Sequence, residues 1–124
     1  MWGGCGVNQQ RRIQKVINHC ARIVFCARKF DHVTPLLDIL EWPSVEKLIC
    51  ERDLAMLRRI LTHQHAPRRL CDSFTRRDEV SNRDTRGARA GQLQLPRVHT
   101  ELARRFYSFR AVSSWNASFS GASA

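Results

Sequence analysis

At 124 residues the chain suffices for one domain with a modest core, and its 43% hydrophobic content argues against disorder throughout. Twenty-one Lys and Arg against eleven Asp and Glu leave a formal charge of +10, which points to an anionic partner, nucleic acid first. Five cysteines, odd in number and without C-x-x-C spacing, argue against a disulfide framework or a zinc ribbon; no apolar run matches a signal peptide or a membrane span. The chain therefore reads as intracellular, nuclear or cytoplasmic, with no membrane partner and no small-molecule substrate.

In chain order, the spacing predicts a helix over residues 9–29. Ile13, Val16, Ile17, Cys20, Ile23, Val24 and Ala27 fall within one arc, with Arg11, Arg12, Lys15, Asn18, His19 and Arg22 opposite. No acid precedes Asp31, so this helix carries charge of one sign. Arg11, Lys15, Arg22 and Lys29 are spaced to form a line along such a helix, a stripe suited to phosphates. Thr34-Pro35 reads as an N-cap and first helical position of a short helix ending at Trp42-Pro43. Ser44 caps a longer helix over 45–63, acidic at its start and basic at its end, as the helix dipole favours. Pro67 opens one more turn, ending near Phe74.

Residues 75–99 lose the periodicity and read as a basic loop that includes Arg86, with a short extended segment over 92–95. Residues 100–116 regain it, with Leu102, Phe106, Phe109, Val112 and Trp115 at helical spacing beside Arg104 and Arg105, although Tyr107, Phe109, Ala111 and Trp115 also alternate as a strand would. Residues 117–124 read as a disordered tail. The whole is a mainly α fold: a small bundle of three to four helices over residues 1–74, the basic loop, and a C-terminal aromatic helix over 100–116 packing on the bundle. Trp42, Phe106, Phe109 and Trp115 are its expected structural anchors. Charge divides unevenly, +6 over residues 1–30, −4 over 31–53 and +8 over 54–124.

Four stretches carry a family resemblance. Arg12-Ile-Gln-Lys-Val-Ile-Asn with Ala21-Arg22-Ile-Val follows Trp2-Gly3. Asp31-His-Val-Thr-Pro and Leu40-Glu-Trp42 come next, then Thr85-Arg-Gly and Leu95-Pro-Arg, and finally Phe106-Tyr-Ser-Phe-Arg-Ala-Val-Ser-Ser-Trp-Asn116. In this order they resemble the region after the polymerase domain in non-LTR, long-interspersed-type retrotransposon reverse transcriptases. The family's Leu-Pro after Trp-Asn is replaced here by Ser118-Phe119. Family polymerases hold magnesium through an aspartate pair, and this sequence contains no Asp-Asp.

The resemblance implies a fragment or remnant of an RNA-directed DNA polymerase, itself without catalytic residues, cofactor or metal. Its partners would be RNA or DNA bound without regard to sequence, and the parent polymerase domain where intact. The nucleic-acid-binding candidates are Arg11, Arg12, Lys15, Arg22, Lys29, Arg86, Arg104 and Arg105. His63, His65 and Cys71, with Cys50, form the one metal-like grouping, and it reads better as side chains around a helix end. The competing reading is a stand-alone helical interaction module that docks on a partner through its C-terminal aromatic segment.

Overall fold

A computed structural model of the chain describes residues 4–62, 66–80, 83, 85 and 91–120. Its described residues are mainly helical, and they divide into two compact units, Gly4–Ile49 and Cys50–Ala124, where composition suggested one domain.

The first unit contains α1 (Val7–Val24), α2 (Thr34–Ile39) and the opening turn of α3 (Val45–Thr62). Gly6 begins α1 in an extended conformation, its carbonyl accepting the Gln9 and Gln10 N–H groups at 3.0 and 3.1 Å. The helix stops at Val24, not at residue 29. Cys26 adopts a left-handed φ of 49°; its N–H donates to Ile23 and that of Ala27 to Arg22, so the last carbonyls are satisfied by a chain reversal. Asp31 secures the next turn by accepting the Arg28 N–H at 2.7 Å. Glu41 repeats the device after α2, with φ 53° and the Trp42 N–H returning to the Leu37 carbonyl. Neither reversal uses glycine, the usual signal for one.

Thr34 lies inside α2 and makes no capping hydrogen bond, contrary to its expected role. Ser44 does cap α3, its Oγ accepting the Lys47 N–H at 3.3 Å. A second orphan donor of that helix start, the Val45 N–H, is accepted at 2.9 Å by Gln14 Oε1 from α1. Gln14 in turn donates to Asn18 Oδ1 at 2.9 Å. The packed face of α1 carries these polar groups together with Gln10, Ile17 and Ala21, spaced by three or four residues. Ala21 and Val45 are buried, whereas Val16 and Ile23 are 62% and 63% exposed and Cys20 is also exposed. Of the apolar arc of α1, Ile13 and Ile17 are half-buried while Val16, Cys20, Ile23 and Val24 are exposed, so the packed face overlaps the arc only at its edge.

The second unit holds the rest of α3, α4 (Arg68–Cys71), α5 (Arg77–Val80), α6 (Glu101–Arg104) and α7 (Tyr107–Ser120). Its core is Leu57, Ile60, Phe74, Leu93, Ala111 and Val112, with Leu61, Cys71, Tyr107 and Trp115 packed against it. Leu57, Ile60 and Leu61 recur at helical spacing on α3, as do Ala111, Val112 and Trp115 on α7. Truncating Leu57, which is fully buried, removes contacts that are typically worth about 2–5 kcal/mol.

Three sequence expectations change here. Residues 77–80 are helical, and Arg76 bridges antiparallel to Leu93, so the 75–99 stretch is tied at both sides. The 100–116 helix is two helices, divided at Arg105 and Phe106, the first capped by Thr100 Oγ1 accepting the Ala103 N–H at 3.1 Å. Helix α7 runs on to Ser120, past the expected tail boundary, and Phe119 meets Trp115 one turn back with ring centroids 5.6 Å apart.

Candidate nucleic-acid interface

Helix α1 has no acid, and three of its basic side chains, Arg11, Arg12 and Lys15, are exposed. Arg11, Lys15 and Arg22 lie within about 40° of one another around the axis, because helical residues advance by 100° each. Their side chains do different things. Arg22 is half-buried: its Nη2 donates to the Asp31 carbonyl at 3.3 Å, and its Nε is buried without a partner among the described residues. Lys29 lies beyond the end of α1, its ammonium 5.9 Å from the Phe30 ring centroid. The expected four-residue line is thus reduced on α1 itself to Arg11 and Lys15, flanked by Arg12, with Arg22 partly engaged in holding the chain reversal.

In the second unit Arg104 and Arg105 are exposed at the end of α6. Arg104 pairs loosely with Glu101 at 3.7 Å, both side chains more than half exposed, a geometry that contributes little. Close in sequence, Arg97 and His99, also exposed, line an open recess of about 550 Å³ with Leu95, Pro96, Val98, Arg104 and Phe109. Arg97 was missed as a candidate because it lies in a segment without periodicity; the Leu95-Pro-Arg motif held the only signal. Arg86 lies outside the described residues, as do His63 and His65 of the metal-like grouping. Cys71, its remaining principal member, directs its thiol towards the Ile60 carbonyl at 3.7 Å. Among the described residues no three His, Cys, Asp or Glu converge as a metal site would need.

The aromatic anchors separate. Trp115 packs against the core and its Nε1 donates to the Gly91 carbonyl at 3.2 Å, where Gly91 takes a left-handed φ of 74°. Phe106 is 60% exposed and Trp42 38% exposed, so neither is an anchor of the core. Phe109 is half-buried and faces the recess. Tyr107 takes the core position instead, its ring edge-to-face with Phe74 at 6.2 Å. Val112 and Trp115 keep the packed positions that their spacing suggested, and after the break at Phe106 it is Tyr107 that joins them.

The Phe106–Asn116 run, one of the stretches that carry the resemblance, is used internally. Arg110 spans the Asp53 carboxylate with Nε and Nη2 at 2.9 and 3.1 Å, and its Nη1 donates to the Arg105 carbonyl. Tyr107 donates its hydroxyl to the Asp53 carbonyl at 3.1 Å. Burial, and then the neighbouring Asp53 charge, push the Tyr107 hydroxyl up to about 12, with Arg110 opposing. Asn116 clamps Leu93, accepting its N–H and donating to its carbonyl, both at 2.9 Å. On the other side of the same segment, Gln92 and Gln94 pair through their backbones with Arg77 and Thr75. An asparagine side chain thus stands where a second strand would be and satisfies both backbone groups of Leu93.

No family model, curated protein or solved structure matches this chain. The resemblance to non-LTR reverse transcriptases accordingly rests on the sequence motifs alone. Among the described residues no helix is long and apolar enough to cross a membrane.

Proposed function

We propose that this chain is a non-catalytic segment that contacts the nucleic-acid backbone, similar to the region that follows the polymerase domain in non-LTR retrotransposon proteins or a remnant of it. The observation that carries the reading is the exposed trio Arg11, Arg12 and Lys15 on a helix that itself contains no acid, Glu46 of α3 lining a recess with Arg11 alone of the three. Like charges on one face repel each other, and an anionic ligand relieves that repulsion. Contacts of this kind act on RNA or DNA through phosphate and position without reading bases. The setting implied is nuclear or cytoplasmic, beside a polymerase domain where one is present. The competing interaction-module reading is less favoured, because the Trp115 indole is committed to Gly91 and to the core.

The test is a salt titration of duplex binding. Each phosphate neutralised contributes about −0.9 to the slope of log affinity against log salt. Changing Arg11, Arg12 and Lys15 together to Gln is expected to flatten the slope by up to about 3 units while helix content stays unchanged. A variant with wild-type affinity and slope refutes the interface.

A further inference from the structure

We propose that the recess between the 95–99 segment and Phe109 receives an unstacked base of single-stranded nucleic acid, with Phe109 as its stacking platform and Arg97 and Arg104 holding the flanking phosphates. The inference rests on the backbone-binding reading above and adds a preference for strand state.

Its walls and rim have different chemistry. Leu95, Pro96, Val98 and the Phe109 ring supply apolar surface, and the charged lining residues, Arg97 and Arg104, are both basic. The recess, about 550 Å³ in volume, is shallow and open, which suits one face of a base rather than an enclosed ligand. An apolar recess open to water is unfavourable when empty, and a basic rim selects an occupant that joins an apolar face to negative charge. A nucleotide has both. Bases within a duplex are stacked and present only their edges, so the recess requires a base already turned out. The ion pair of Arg104 with Glu101 is exposed and long at 3.7 Å, so exchanging it for a phosphate costs little. Phe106, immediately before α7 and 60% exposed, offers a second aromatic face three residues from Phe109. Stacking on such faces tolerates any base, consistent with recognition that ignores sequence.

The test compares two fluorescent oligonucleotides of about 12 nucleotides on the full chain at low salt, one oligo-dT and one of the same backbone with every base removed. Both present the same phosphates. Stacking of one base predicts that oligo-dT binds about fivefold tighter or more. Phe109→Leu is expected to abolish that difference without weakening the abasic strand, whereas Phe109→Tyr keeps it. Photocrosslinking an oligonucleotide that carries 5-iodouracil to the wild-type chain locates the base without any variant, with the adduct expected on Phe109 or Phe106. Equal binding of the two strands overturns the base site and leaves the backbone reading standing. Failure of both strands to bind overturns the two together. Adducts confined to Trp42, or equal binding with self-association that Phe109→Leu abolishes, overturn the proposal in favour of another surface or a second copy of the chain.

Discussion

The two units are held together by different means. In residues 50–124, six buried apolar side chains form one cluster, and polar clamps tie α7 to α3 and to the 92–94 segment. In residues 4–49, only Ala21 and Val45 are buried apolar residues, and much of the order comes from helix caps, two left-handed reversals and the Gln14 contact. Yet α1 has the strongest amphipathic pattern of the long helices. Amphipathicity therefore announces a face without saying whether that face is covered. The packed side of α1 carries Gln14, which satisfies the Val45 N–H at the start of α3, and an orphan buried donor there would cost about 1–3 kcal/mol.

The sharpest way to break this contrast is to remove the clamp in the second unit. Arg110→Leu leaves the Asp53 carboxylate, 12% exposed, without its partner, and such a loss typically costs about 3–5 kcal/mol. Denaturant melts are expected to show it, and Asp53→Leu added to Arg110→Leu is expected to recover a large part. A single variant with an unchanged midpoint would show that the core alone holds α7.

A smaller effect follows from Tyr107, the chain's sole tyrosine, so a tyrosinate absorbance titration reads this group alone. The midpoint is expected near 12 in the folded chain and near 10 in denaturant. Because the folded value is the higher one, the associated stability is full below pH 10 and is lost as pH rises from 10 through 12. Tyr107→Phe is expected to remove that part of the alkaline decline. A native midpoint near 10 would mean that the hydroxyl is open to water and does not meet Asp53.

The smallest effect is expected in the first unit. Val16→Ser changes an apolar side chain that is 62% exposed, and its stability effect should stay within about 0.5 kcal/mol. A cost of 2 kcal/mol or more, measured by thermal melting and typical of a buried site, would mean that the apolar arc of α1 is covered after all.

What the sequence alone determined is what neighbours along the chain decide. The starts of α1 and α3, the Ser44 cap and the one-sign charge of α1 all follow from residues within a turn or two of one another, whereas over 107–116 helical and alternating patterns coexist and the fold selects the helix. The tertiary structure decided the rest. The end of α1 depends on a left-handed Cys26, which carries no glycine signal. The packed face of α1 carries Gln14, which meets an N–H group 31 residues away. Asp53 meets Arg110 across 57 residues, and neither side chain's local pattern names the other. The C-terminal motif was legible as a family resemblance, but its work inside the fold was not, because Tyr107, Arg110 and Asn116 bond to groups on distant segments. Hydrogen bonds and burial are settled between surfaces, and periodicity along one helix carries no record of the surface it will meet.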